Sequence, residues 1–219
     1  MADRIVTADA LTDPGVVAEL VALSGRQWAT ADRRVAGTLW WYTTSSILLT
    51  PFLTRLAEVD LAPDPELSGV RLHINPEGRL LNAQPTRLLS TVDELPGRLR
   101  AALDAVLPVL AEASGTRVRP LWAITADSLA NVLLRAWRGL GDPDRGAAQA
   151  TELAAAIGAP MPVPRFVEVA VRAGSPPVRL VRRVSCCLIY QAGFAKCASC
   201  PHQEPFERLD RMAEAARLL

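Results

Sequence analysis

Lysine is almost missing from this chain: Lys196 is the only one among 24 basic residues, the rest being arginine. No cysteine precedes Cys186. Neither charge dominates, since 23 acidic residues bring the formal net charge to +1. A balance so close to zero excludes global steering toward nucleic acid or a membrane surface. Met1-Ala2-Asp3-Arg4 leads into no apolar run, so no secretory leader is expected. The one long uncharged stretch, Gly37 to Leu53, carries four threonines, two serines and Pro51. That is too polar for a lipid-facing span and reads as a mostly buried helix. There is no internal repeat and no low-complexity tract. What is present, half apolar over 219 residues, is enough for one globular core with a small appendage. A cytosolic location is expected, where clustered thiols mean metal or redox chemistry more often than structural disulfides.

Punctuation and periodicity predict an α+β fold with a predominantly helical body. Thr12-Asp13-Pro14 reads as an N-cap with proline in the first turn, opening a short helix toward Leu23. A longer helix is expected over Ala31–Ala57, with Val35, Leu39, Tyr42, Ser46 and Leu49 on one face and a kink or stop at Pro51. Val70–Ile74, a turn over Asn75–Gly78 and Arg79–Asn82 read as a β-hairpin, with His73 on its polar face as a solvated strand residue. Helices follow over Asp93–Ala113, from Arg119-Pro120 to Gly139, and over Asp144–Ile157. The run Ala159-Pro160-Met161-Pro162-Val163-Pro164 is the expected boundary between a helical body, 1–158, and a carboxy-terminal part, 159–219. Beyond it come two short strands, Phe166–Val171 and Val178–Val184, around a Gly174-Ser175-Pro176-Pro177 turn. A closing amphipathic helix over Pro205–Leu219 is expected to turn Phe206, Leu209, Met212, Ala213 and Ala216 inward.

All four cysteines lie in one stretch: Cys186-Cys187, nine residues, then Cys197-Ala198-Ser199-Cys200-Pro201. Four soft thiolates within fifteen residues can close around one metal centre. Structural zinc commonly uses paired C-x-x-C units, but adjacent cysteines chelate a single tetrahedral ion poorly because the peptide between them is rigid. A thioredoxin-like C-x-x-C would leave the vicinal pair unexplained. A two-iron cluster offers adjacent thiolates different irons. Spacing and ligand type alone leave cluster and zinc both open. His202 follows closely enough to be a spare ligand, although four thiolates already complete a site.

The run Arg183-Val184-Ser185-Cys186-Cys187-Leu188-Ile189-Tyr190, with Cys197-Ala198-Ser199-Cys200-Pro201, resembles the carboxy-terminal domain of the FhuF-like ferric-siderophore reductases. Their signature is C-C, about ten residues, then C-x-x-C; here the gap is nine. The resemblance is specific over the last forty or so residues. It is weaker at Arg34–Trp41 and at Arg119–Asp127, which look like the family's helical part. It implies a [2Fe–2S] cluster held by Cys186, Cys187, Cys197 and Cys200. It also implies one-electron reduction of a ferric siderophore, hydroxamate-type by expectation, with a reduced ferredoxin or flavoprotein as donor. No nucleic acid and at most peripheral membrane contact are expected. A non-redox protein with a structural zinc site, or a simple electron carrier, are the alternatives.

From Arg165 to Lys196 there are six cations and one anion, Glu168. Arg182, Arg183 and Lys196 abut the cysteines and are candidates for tuning the site or receiving an anionic partner. Consecutive strand residues face opposite ways, so only one of Arg182 and Arg183 is expected to lie over the sulfurs. Trp40, Trp41, Trp122 and Trp137 are candidates for a recess that takes a bulky chelate, with core packing as the plainer reading.

Overall fold

A computed structural model describes residues 3–171, 174, 176–218. Helix α1 spans Pro14–Gln27, its free N–H groups capped by Asp13, whose carboxylate accepts from Val16 N at 2.9 Å. Helix α2, Arg33–Val59, is capped likewise by Asp32, which accepts from Arg34 N and Val35 N. It does not stop at Pro51. Phe52 and Leu53, directly after the proline, are buried in the core, and their packing carries the helix two more turns despite the missing hydrogen bond. Helix α3, Leu95–Ser114, follows a Thr91/Glu94 capping box and ends at Gly115, whose left-handed φ of +71° suits glycine. Helices α4, Val118–Gly139, and α5, Pro143–Ile157, complete the body.

Helix α2 is central, and α4 lies alongside it in the same direction. Gly37 approaches Ser114 so closely that a Cβ would stand 2.3 Å from the serine Cβ. One turn further, Trp41 Nε1 donates to Thr125 Oγ1 at 3.0 Å, and one turn beyond that Ser45 and Ser128 hydroxyls meet at 2.8 Å. Of the four candidate tryptophans Trp41 and Trp122 are fully buried, Trp40 is nearly so, and Trp137 is partly accessible. The tryptophans therefore build the core and do not line a chelate recess. Each fully buried indole contributes roughly 4–6 kcal/mol of apolar burial.

The hairpin forms, β2 Val70–Ile74 with β3 Leu80–Pro85, and gains an edge strand that periodicity did not reveal, β1 Arg4–Thr7, paired antiparallel to β2. Four residues are too few to show an alternation by themselves. Val70, Leu72 and Ile74 turn toward the helices, and His73 is half-buried. Strands β4, Phe166–Val169, and β5, Val178–Val181, form a separate two-stranded sheet. Part of the turn expected between them, Ser175, lies outside the described residues. Helix α6, Pro205–Ala216, covers this sheet through Met212 and Ala216, which pack with Val169. Phe206, expected to face inward, is 84% exposed, and Leu209 is exposed as well: the two-stranded sheet is too short to cover the first turns of α6. Val181 and Phe166 reach into the main core, so the tail rests directly on the body. Among the described residues no helix is long and apolar enough to cross a membrane.

Candidate metal centre

Past Val181 the chain leaves β5 and crosses the α2–α4 groove, fastened by one carboxylate. Asp127, on the buried face of α4, accepts from Val184 N at 3.2 Å, from Ser185 N at 3.1 Å and from the Ser185 hydroxyl. Arg183 Nε lies 3.5 Å from the same carboxylate, both side chains being almost wholly buried. The guanidinium continues over the Tyr42 ring at 4.4 Å, donates to Ser185 Oγ, and points Nη1 at Cys197 Sγ, 3.7 Å away. Burial pushes the Asp127 carboxyl up from its ordinary range, against the Ser185 hydrogen bonds and the Arg183 charge. Tyr42 is raised as well, first by burial. A carboxylate held dry in this way depends on every one of its donors.

Beyond this anchor the loop turns tightly. Leu188 takes a left-handed φ of +62°, and its N–H lies 3.4 Å from Cys186 Sγ. A short 3-10 turn over Ile189–Ala192 follows, where Gln191 Oε1 accepts from Arg34 of α2. The C-x-x-C closes as a turn, Cys200 N donating to Cys197 O at 3.0 Å, and Gln203 Nε2 donates to the same carbonyl.

The four thiols are free of disulfides, with Cys187 and Cys200 buried and Cys186 and Cys197 half-buried. The four sulfurs lie close enough to influence one another's protonation, Cys187 most strongly with Cys197. Cys187 packs on Val35 and Leu39 of α2. Its thiol is lowered to about 5 by the Cys197 contact, the Ile189 N–H and Arg183, against burial. Cys186 is pushed up to about 11, chiefly by burial. Among the described residues no three His, Cys, Asp or Glu side chains converge as they would on one ion. Four free thiols on one short loop, with a guanidinium beside one sulfur and an N–H beside another, form a donor set suited to a two-iron cluster.

Residues 183–202 match the family model of the FhuF 2Fe-2S C-terminal domain. In this segment the chain is FhuF-like. Its cofactor is accordingly a [2Fe–2S] cluster. No curated protein matches the chain. The FhuF-like segment covers all four cysteines and Arg183, and leaves Asp127 and Tyr42, which hold it, to the helices upstream.

The candidate cations are placed very differently. Arg183 is the inward one, Arg182 is exposed, and Lys196 is exposed with Nζ bonded to the His202 carbonyl and not to a sulfur. His202 is exposed, its ring 5.6 Å from that of Tyr190. Sequence reasoning gave Asp127, Tyr42 and Ser185 no role at the cysteine site. A signal for Asp127 was present, since it is the only charged residue between Leu121 and Leu134.

The loop divides the α2–α4 groove. On the side toward the carboxy ends of the helices lies a recess of about 550 Å³, lined by Thr43, Ser46, Asn131, Arg135, Arg183 and Ser199. On the other side lies one of about 520 Å³, lined by Arg34, Thr38, Arg117, Arg119, Ser185 and Cys186. A further recess of about 510 Å³ between Thr54 and Arg87 touches no residue of the cysteine loop.

Proposed function

We propose that this protein is a cytoplasmic ferric-siderophore reductase, in which residues 1–158 bind the chelate and residues 159–219 hold the redox group. Its FhuF-like [2Fe–2S] segment supports a redox role coarsely. The observation that carries the finer reading is the recess of mixed polar and aliphatic lining that holds Ser46, Asn131 and Arg135 beside Arg183 and Ser199, adjoining the cysteine loop. Cys186, Cys187, Cys197 and Cys200, all free of disulfides on the one loop, would hold the cluster.

When bound, the cluster supplies storage and transfer of one electron at a time. The chain's own residues do the rest. Asp127 and Arg183 fix the cysteine loop on the body, and the guanidinium offsets negative charge at the sulfurs. Ser46, Asn131 and Arg135 present donors to the oxygens of a hydroxamate-type chelate. Ferric iron is a hard cation held by oxygen ligands; ferrous iron is bound by them far more weakly. One electron therefore releases the metal and leaves the chelator intact.

The experiment is anaerobic purification followed by iron and acid-labile sulfide analysis, a visible spectrum with dithionite bleaching, and turnover of a ferric trihydroxamate with a ferrous-specific trap. A brown protein that bleaches and yields trapped ferrous iron is expected. A colourless zinc protein would rule the proposal out, and a bleaching protein that leaves the chelate ferric would reduce it to an electron carrier.

A further inference from the structure

Both recesses are lined by three arginines, but in the first Arg183 is buried against Asp127 and Arg138 donates to the Arg179 carbonyl, whereas the second keeps its arginines at the surface. Its rim carries Arg34, Arg117 and Arg119, all exposed, from the amino end of α2, the α3–α4 loop and the first turn of α4. Arg34 shares Asp32 at 3.6 Å and donates to Gln191; Arg117 and Arg119 carry no salt bridge among the described residues. No acidic residue lines the recess, and its wall includes Cys186, the half-buried member of the vicinal pair. In a chain of net charge +1, three arginines gathered around one thiol form a local field that the whole molecule does not have.

We propose that this arginine-rimmed recess is where an acidic one-electron donor protein docks, so that electrons enter on the Cys186 side and leave toward the chelate on the Arg183–Ser199 side. The inference rests on the reading that the cysteines hold a redox group. Two partners must reach one buried centre, and the loop leaves one recess on each side of it. The exposed, unpaired guanidinium groups suit a protein surface of opposite sign, and redox encounters use small interfaces whose charges govern the rate of association. The step is a single electron passing from the reduced donor, which is oxidised by one, to the group on the cysteines, which is reduced by one. No bond or proton changes place.

The test uses the full-length, cluster-loaded protein and a plant-type acidic [2Fe–2S] ferredoxin as donor. Stopped-flow bleaching of the acceptor's visible absorption gives the rate without involving a chelate. In the parent this rate should fall steeply as ionic strength rises, since exposed charges are screened beyond about 10 Å at 0.1 M salt. Arg117→Glu/Arg119→Glu should slow it at least tenfold at low salt and flatten the salt dependence. Arg55→Glu/Arg71→Glu, the same change of net charge on α2's far end and on the three-stranded sheet, should stay within twofold of the parent. Equal slowing by both double variants would overturn the docking site, since net charge alone would then explain the rate. So would an unchanged rate in Arg117→Glu/Arg119→Glu, or loss of ferric trihydroxamate binding in that variant with ferredoxin bleaching intact, which would make this recess the chelate's. A parent that bleaches fast and salt-dependently yet reduces no chelate would sink the proposed function and leave the donor site standing.

Discussion

Helix α2 meets two neighbours in two different ways. Against α4 it sets Trp41 and Ser45, inside a continuous apolar core that also takes up Leu48, Leu49 and Leu53. Against the cysteine loop it offers Val35, Leu39, the Tyr42 ring and an exposed Arg34–Gln191 hydrogen bond, and the buried fastening is one carboxylate on α4 with four donors. Apolar burial is distributed and degrades gradually, whereas a buried ion pair with its hydrogen bonds fails when any one member is removed. The body is thus built to persist, and the tail is built to sit in one place.

The largest effect should come from the thiols themselves. Replacing Cys187, Cys197 or Cys200 by serine should remove the cluster, because an alkoxide is a poor partner for soft iron. Iron and sulfide content should fall to background while the far-ultraviolet helical signal is kept. Cys186 should behave alike, and a normal cluster in Cys186→Ser would remove it from the ligand set.

Next come two substitutions of similar cost and opposite consequence. Trp41→Ala should cost the fold about 3–5 kcal/mol, seen in urea melts, with little change in the cluster's spectrum. Asp127→Ala leaves Arg183 buried and unpaired, a loss of roughly 3–5 kcal/mol, but the loss falls on the docking of the loop. It should appear as faster bleaching in air and faster iron release, with the urea midpoint of the body little moved. If Asp127→Ala unfolds the body as Trp41→Ala does, the two regions are one cooperative unit and the contrast fails.

Removing the iron should sharpen the same contrast at lower cost. Metal ligation stabilises the segment that supplies the ligands. Amide exchange in the apoprotein should therefore rise over 184–203 and stay slow in the buried turns of α2 and α4. Uniform acceleration across all helices would show that the tail is needed for the body.

The long helices of the body were readable because each repeats its own apolar period over many residues, as Leu95, Leu99, Leu103, Val106 and Leu110 do in α3. The cysteine stretch was readable because its donors are close in sequence. What was not readable is what depends on distant partners. Strand β1 exists through its register with β2, some seventy residues away. Asp127 matters through Arg183 and Ser185, far beyond it in the chain. Trp40 and Trp41 follow the plainer reading of core packing, but the partners of their indole N–H groups, Gly78 O and Thr125 Oγ1, lie far off in the chain. Phe206 fitted an inward stripe, but there is no surface opposite it to meet.

The smallest expected effect is also the most specific. Arg182 and Arg183 are neighbours in sequence and opposite in surroundings: one is exposed at the surface, the other is 6% exposed with Nη1 at 3.7 Å from Cys197 Sγ. Adding an electron adds a negative charge at the sulfurs, and a nearby guanidinium favours that state. Arg183→Gln should therefore lower the midpoint potential. The shift should be on the order of tens of millivolts, moderated because Asp127 already offsets part of the arginine's charge. Arg182→Gln should leave the potential within error of the parent, since water and salt screen an exposed charge. Measuring both at fixed ionic strength, and Arg183→Lys beside them, separates charge from geometry. Lysine keeps the charge but cannot span Asp127, Ser185 and Cys197 at once. A potential restored by lysine together with an iron site that still loosens would assign the charge to tuning and the fork of the guanidinium to holding the loop. Equal potentials in all four proteins would leave Arg183 as a fastening of the tail alone.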